Sequence, residues 1–189
     1  MAICDWIINS DISSHNCGTK FNRGVDSIGV IANRKDVTSW SVNSSMVVTL
    51  GLTHENAFKV IQGGKMPFNG TTQEMAEGSQ VNTMTNTIQI IVLKHDPNFA
   101  NQLDKLINGE FVVALANKNG TYQIYGLETG LHCTGAVREL YSDDNLAGWQ
   151  LTFTEEGCAY PSLFIARTKF MYLLTGTVPV PAPDDPESE

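Results

Sequence analysis

The chain has 189 residues, of which 42% are hydrophobic, and its 20 acidic and 12 basic residues give a net charge of −8 at pH 7. The acidic balance argues against a module that binds duplex DNA through a Lys/Arg patch. The longest apolar runs, near 88–93 and 111–116, are far shorter than the roughly 20 residues that span a bilayer. We therefore expect one domain with a well-buried core, no membrane partner and, since 1–8 lacks a basic leader segment, no secretion.

The cysteines are widely scattered and form no Cys-x-x-Cys pair: Cys4, Cys17, Cys133 and Cys158. This spacing predicts reduced thiols that pack in a protein made in the cytoplasm. A zinc site that combines Cys4, His15 and Cys17 with His132 and Cys133 has suitable ligand types. Adjacent residues on a strand point to opposite faces, however, so His132 and Cys133 chelate one ion poorly and packing is the preferred interpretation.

Short strands are expected in the first part of the chain, at 28–32, 37–42 and 46–50, where apolar runs or period-2 alternation occur. The stretch 63–80 that follows is rich in Gly, Thr, Asn and Glu, and it contains Met66, Phe68 and Met75. We expect a long loop that is mobile in the monomer and orders against a neighbouring subunit. The next segment, 81–94, has Thr at alternate positions before an Ile/Val run and predicts a strand.

A helix is predicted at about 97–108. Asp96 can accept hydrogen bonds from the first turn, and Pro97 suits the first helical position because its missing donor would be unsatisfied there. Asn108 and Gly109 are typical of a helix end. The apolar residues recur at helical spacing on one face, and they are Phe99, Leu103, Leu106 and Ile107. A short helix with one apolar face must lie against a sheet.

Two hairpins are predicted after this helix. The first joins 111–116 to 121–125 through Asn117–Gly120, whose Asn-Gly pair tolerates the positive φ angles of a tight turn. The second joins 131–140 to 149–154 through the polar loop 141–148.

In the last strand of the second hairpin, Trp149, Leu151 and Phe153 alternate with Gln150, Thr152 and Thr154. This alternation predicts one buried side and one solvated or partner-facing side. The region 160–174 is expected to hold one more strand, and the acidic, proline-rich segment 177–189 is expected to be a flexible tail.

The sequence specifies no catalytic site. The segment 63–66 lacks the spacing of a phosphate-binding loop, and neither a Gly-x-Ser-x-Gly elbow nor a triad pattern is present. The run 143–145 resembles the start of a calcium loop, but Thr154 stands where the twelfth-position Glu would be, so a polar hairpin loop is preferred. We expect a protein that is not an enzyme and that holds no metal and no cofactor.

Three segments share a family resemblance: NGEFVVA at 108–114, NKNGTYQIYGLETGLHCT at 117–134 and DDNLAGWQLTFTEE at 143–156. They resemble virion structural proteins of the tail-tube-like kind from tailed bacteriophages and prophages of gut bacteria. The resemblance covers roughly 81–156, with weaker similarity over 17–40. Its motifs are patterns of turns and strands, without a catalytic signature.

The resemblance implies a mainly β (α+β) fold, an antiparallel β-sandwich or barrel with one flanking α-helix and a long loop. The expected organisation is a single domain over 1–176, with an N-terminal arm and the loop 63–80, followed by the tail 177–189. The implied function is that of a tail tube subunit in the virion, assembled in the host cytoplasm. Its partners would be further copies of itself in stacked rings and other tail or neck proteins, while DNA passes through without specific binding.

An acidic lining suits such a channel because carboxylates repel phosphate groups and leave the genome free to slide. The candidate lumen or interface residues are Met66, Phe68 and Met75 in the loop 63–80, and the carboxylates Glu128, Asp143, Asp144, Glu155 and Glu156. The alternatives are another tail or neck component, such as a terminator or connector, and a host- or carbohydrate-binding β-sandwich. The latter would show clustered exposed aromatic residues, whereas Trp6, Trp40 and Trp149 lie apart in the sequence.

Overall fold

The computed structural model describes residues 25–55, 57–62, 68–78, 82–92, 97–138 and 148–176. The mainly β fold predicted from the sequence is confirmed in these residues. In chain order the elements are β1 (Val25–Asn33), a 3-10 helix (Arg34–Asp36), β2 (Val37–Val42), β3 (Val47–Leu52), β4 (Lys59–Gln62), β5 (Phe68–Ala76), β6 (Thr83–Val92), α1 (Pro97–Asn108), β7 (Glu110–Asn117), β8 (Tyr122–Tyr125), β9 (Leu131–Arg138), β10 (Trp149–Cys158), β11 (Phe164–Ile165) and α2 (Arg167–Thr175).

The strands form one eleven-stranded sheet that branches at β7. Its main order is β2-β3-β11-β8-β7-β9-β10-β6-β5, and β1 pairs with β7 and with β4. On one side of β7, β8 pairs with Val113–Ala116, whereas β9 pairs with Glu110 and Phe111. The first arm of the sheet therefore runs from β8 through β11 and β3 to β2, and the second arm consists of β9, β10, β6 and β5.

Both faces of β7 are buried, because the two arms fold over opposite faces of the central strands. Val112, Ala114 and Ala116 belong to a first core, which contains side chains of the first arm and α2. Phe111, Val113 and Leu115 belong to a second core, which contains side chains of the second arm and α1. A strand that is apolar on both faces reads as a continuous hydrophobic run, as 111–116 does. The branched sheet thus encloses two cores.

The helix α1 has the predicted bounds. Phe99 and Leu103 are buried in the second core, and Leu106 is partly buried against it. Ile107, by contrast, is 39% exposed, so its predicted place on the buried face is wrong. The chain turns at Gly109, where an added Cβ would lie 2.8 Å from the carbonyl oxygen of Lys105. Only glycine fits there, and the predicted cap residue Asp96 lies outside the described residues.

The region 160–174 differs from the single strand that the sequence predicts. Only Phe164–Ile165 is a strand, and it is followed by the second helix, α2. Phe170 and Leu173 are buried at helical spacing in the first core. The helix ends at Gly176, which has a left-handed φ of 70° and donates its N–H to Tyr172 O. The prediction of one flanking helix is therefore wrong, since a second helix covers the other core.

The predicted loop 63–80 is also different, because Phe68–Ala76 is strand β5 and pairs antiparallel with β6. Its Gly, Thr, Asn and Glu content is typical of loops, and the segment forms a strand because it pairs with β6. The prediction of a loop is therefore wrong for 68–76, whereas ordering against a neighbouring subunit stays a prediction. The remainder of the predicted loop, 63–67 with Met66 and 79–80, lies outside the described residues, as do the N-terminal arm up to residue 24 and the tail 177–189.

Both hairpins are confirmed by antiparallel pairing of β7 with β8 and of β9 with β10. In the first turn, Gly120 N–H donates to Asn117 O at 3.0 Å, and Asn117 N–H donates to Thr121 O at 2.8 Å. Gly120 has a φ of +85°. This arrangement is a three-residue loop closed by a glycine bulge, in which only Gly120 uses the left-handed region. The loop between β9 and β10 lies outside the described residues.

We predict that Gly120→Val lowers the free energy of unfolding by about 1 kcal/mol or more, because valine is strained at positive φ. An added Cβ at Gly120 meets no atom within 4 Å, so a steric clash cannot account for the loss. Gly120→Asn is the control, since asparagine tolerates this conformation and should cost less. Urea denaturation measures both variants. Equal stability of Gly120→Val and the natural protein would contradict the turn assignment.

Candidate functional site

The carboxylate of Glu155 is buried at the branch point of the sheet. Glu155 lies on β10 and is only 2% exposed. One of its oxygens accepts the N–H of Gly126 at 2.8 Å, and the other accepts those of Glu128 at 3.1 Å and Thr129 at 3.3 Å. These donors belong to the turn 126–130 that joins β8 to β9. The carboxylate therefore fixes the turn at which the chain passes from one arm to the other.

Glycine is essential to this turn. Gly126 and Gly130 have φ angles of +85° and +87°. A Cβ on Gly126 would lie 2.2 Å from the carbonyl oxygen of Phe111, so the turn can approach β7 only where no side chain intervenes. The close approach brings several N–H groups to a single carboxylate.

Glu128, which lies in the same turn, binds backbone N–H groups in return. Its two side-chain oxygens accept the N–H groups of Ala159 at 2.8 Å and Tyr160 at 3.2 Å, just after β10 ends. Glu155 of β10 thus binds the backbone of the turn, and Glu128 of the turn binds the backbone that follows β10. Charge-assisted hydrogen bonds of this kind are stronger than neutral ones.

The hydrogen bonds continue from Glu155 to the edge strand β5. Asn86 on β6 donates to Glu155 Oε2 at 3.1 Å, and its own Oδ1 accepts Gln73 Nε2 at 3.0 Å. Gln73 on β5 also donates to Pro161 O and accepts from Ser162 Oγ, both at 2.8 Å. We call Glu155, Glu128, Asn86 and Gln73 the Glu155 network. In the described part of the chain, every buried side-chain nitrogen and oxygen has a hydrogen-bond partner.

Cys158 lies beside this network but does not have the properties of a nucleophile. Burial, followed by the negative charge of Glu155, raises the pKa of the Cys158 thiol from 9.0 to about 12. Burial also raises the pKa of Cys133. Nucleophilic cysteines require the thiolate near neutral pH, whereas these two environments favour the protonated thiol. The preferred interpretation of both cysteines as packing residues agrees with this chemistry.

Several candidate lumen or interface residues occupy places other than those predicted. Glu155 is buried, so it is not a surface carboxylate, and Phe68 is 6% exposed and belongs to the second core. The predictions for these two residues are wrong. Glu128 is half-buried and holds the end of β10, while Glu156 is exposed and Met75 is 64% exposed. Met66, Asp143 and Asp144 lie outside the described residues.

The outward side of the second arm is a polar surface dominated by threonine. The inward residues of β6 and β10, such as Ile88 and Phe153, are fully buried, so the alternate residues point away from the core. Thr72, Thr87 and Thr154 form one row across β5, β6 and β10. We call this surface the outer face, and it includes Thr72, Glu74, Ala76, Thr83, Thr85, Thr87, Gln89, Ile91, His132, Thr134, Gly135, Val137, Gln150, Thr152 and Thr154. Ile91, which lies opposite Gln150, is only 8% exposed.

Two features define the chemistry of the outer face. Thr134 Oγ1 lies 2.9 Å from Thr154 Oγ1, so hydroxyl groups on neighbouring strands bond to one another. Among its members, Glu74 is the one carboxylate and there is no Lys or Arg. Such a surface is well hydrated and presents little charge to a polyanion. The alternation along β10 predicted a polar side, but the alignment of threonines across strands depends on register, which one sequence does not reveal.

A surface pocket of about 280 Å³ lies elsewhere, between β1, β4 and α1. Its apolar wall includes Ile31, Leu106 and Phe111, and its polar wall includes Asp36 and His54. The Asp36 carboxylate accepts a hydrogen bond from the Asn33 side chain at 2.8 Å. Among the described residues, no group of three or more His, Cys, Asp or Glu side chains is placed to hold a metal ion.

No helix within the described ranges is both long enough and apolar enough to cross a membrane. Comparisons of the chain with protein-family models, curated proteins and solved structures found no match.

We predict that Glu155→Gln lowers the free energy of unfolding by about 2 kcal/mol or more, because an amide NH₂ would face backbone N–H donors in a buried site. The adjacent Glu156→Gln is the matched control, since Glu156 is exposed and should change stability by less than about 0.5 kcal/mol. Urea denaturation of the two variants side by side makes the comparison. Similar stabilities would show that the buried carboxylate does not hold the turn.

Proposed function

We propose that the protein is a virion structural protein of a tailed bacteriophage, most specifically a tail tube subunit whose copies form rings around a DNA channel. The observation that supports this most strongly is the construction of the second arm. Among the described residues, β5 has a strand neighbour on one side only, and so does β9 over Cys133–Arg138. An open edge invites pairing with another chain. Such a sheet can continue from copy to copy where α1, which lies beside β9, and β1, which lies beside β5, leave these edges exposed.

The outer face supports a role in conducting DNA. In a ring built from second arms, one side of the continuous sheet faces the axis, and the apolar side is already covered by the second core. The outer face is therefore the side available to line a channel. Because its members include no Lys or Arg, DNA phosphates would form no ion pairs with this face that must be broken during passage.

This proposal modifies the acidic lining expected from the sequence. Glu155 is buried and Glu128 is occupied by backbone donors, so neither supplies a lumen charge. The lining that we propose is neutral and rich in hydroxyl groups, with Glu74 as its carboxylate. The net charge of −8 still disfavours adhesion of DNA to the subunit as a whole.

The same features support a terminator, connector or other neck component less specifically, because such proteins also surround the DNA path. A host- or carbohydrate-binding role has weaker support. Trp40 packs edge-to-face against Tyr160 at 6.0 Å, and Trp149 packs against the second core beneath Arg138. Neither ring is presented as a flat exposed platform. Within this proposal the subunit resides in the virion, is assembled in the host cytoplasm and contacts other tail or neck proteins.

We predict that the purified chain forms rings or stacked rings as its concentration increases. Main-chain pairing between open edges is a concentration-dependent association, so monomers should dominate only in dilute solution. Light scattering combined with negative-stain electron microscopy over a concentration series tests this. A protein that stays monomeric up to millimolar concentration, or that binds a defined glycan on an array, would contradict the proposed function.

A further inference from the structure

We propose that rings stack through Met46, which lies at the tip of the β2–β3 hairpin and inserts into the surface pocket between β1, β4 and α1 of a copy in the next ring. This inference rests on the proposed function and names the two surfaces that meet. Met46 is 37% exposed and belongs to neither core. Methionine is a flexible apolar side chain that adapts to pockets of irregular shape.

The backbone of Met46 is held in a conformation that favours glycine. Its φ is +59°, and among the described residues it is the one residue other than glycine with a positive φ. The turn is closed by hydrogen bonds from Asn43 N–H to Val47 O at 3.1 Å and from Met46 N–H to Asn43 O at 3.0 Å. Methionine in this conformation costs stability that glycine or asparagine would largely avoid.

The same turn occurs elsewhere in the chain with glycine at the corresponding position. In the β7–β8 hairpin, Asn117 N–H donates to Thr121 O, Gly120 N–H donates to Asn117 O, and Gly120 has the positive φ. Because glycine forms this turn equally well, the fold does not require a methionine at position 46. Residues held in such conformations cluster at ligand-binding and switch regions. The Met46 side chain is therefore a candidate for a contact outside its own chain.

The pocket lies at the opposite end of the same hairpin. Asp36 directly precedes β2, His54 follows β3 by two residues, and both line the pocket. Met46 lies in the turn at the other end, and the six residues of each strand between them span about 20 Å. A contact between the tip of one copy and the pocket of the next joins unlike surfaces, so it can repeat in one direction as an open series. Stacking of identical rings requires this geometry.

The pocket, with a volume of about 280 Å³, matches an apolar side chain that has polar neighbours. Its apolar wall includes Ile31, Leu106 and Phe111. Its exposed polar residues are Asn33, His54 and Lys59. In the turn, the three residues before Met46, 43–45, are also polar and exposed. The contact would thus have an apolar centre and a polar margin, which is the usual organisation of a protein interface.

Met46→Asn separates stacking from stability. Asparagine tolerates the left-handed conformation, so the melting temperature should stay the same or rise. Loss of the apolar anchor should raise the concentration needed for stacking about tenfold or more, while single rings still form. Met46→Leu keeps an apolar side chain of similar volume and is the control that should stack like the natural protein. Negative-stain electron microscopy over a concentration series and thermal unfolding measure both variants.

The pocket is tested separately with His54→Trp, whose large ring at an exposed position should fill it, and His54→Ala is the control that leaves it open. Rings of His54→Trp alone and rings of Met46→Asn alone should stay single. When the two ring populations are formed first and then mixed, they should give pairs of rings. The pairs should grow no further, because one intact tip and one intact pocket form a single junction.

Stacks formed by Met46→Asn or His54→Trp alone at the concentration at which the natural protein stacks would overturn this contact. A mixture of the two that stays as single rings would also overturn it. A lower melting temperature of Met46→Asn would contradict it as well, since the side chain would then be needed within its own fold. Natural protein that forms rings but never stacks them would overturn the contact alone, whereas natural protein that forms no rings would overturn the proposed function.

Discussion

The interaction on which the rest of the fold depends is the one between the buried Glu155 carboxylate and the backbone of the turn 126–130. Three N–H groups of this turn and the side chain of Asn86 all donate to it. The turn joins β8, which belongs to the first arm, to β9, which belongs to the second arm. Burying a carboxylate is costly unless its oxygens are well bonded. Gly126 lets the turn approach β7 closely, and the N–H groups of the turn can then reach the Glu155 carboxylate.

Because the sheet branches at this point, the protein encloses two cores with one central strand, β7. The first arm and α2 cover one face of β7, and the second arm and α1 cover the other. The second arm has its apolar side sealed by its own core, and its other side is left as the neutral, threonine-rich outer face. Folding therefore produces a second arm whose apolar side is covered by its own core. Among the described residues, β5 pairs with one strand only, and β9 does so over Cys133–Arg138.

The parts of the fold that the sequence predicted well are those set by local chemistry. Pro97 and the spacing of Phe99 and Leu103 defined α1, and Asn119-Gly120 defined a hairpin, because caps and turns depend on near neighbours. The parts it missed depend on distant residues. Strand β5 is a strand because β6 pairs with it, and Glu155 is buried because Asn86, 69 residues away, helps to satisfy it. Glu155 continues the buried series Trp149, Leu151 and Phe153, but a carboxylate is normally assigned to the surface, and the Asn86 side chain that helps to satisfy it lies far away in the sequence.

The central claim, that the outer face lines a channel, is tested most directly by cryo-electron microscopy of the assembled protein at a resolution that places side chains. We predict a closed ring in which the row Thr72, Thr87 and Thr154 of each copy points towards the axis. A ring with this row on its outer surface, or one in which the second arms do not meet, would contradict it.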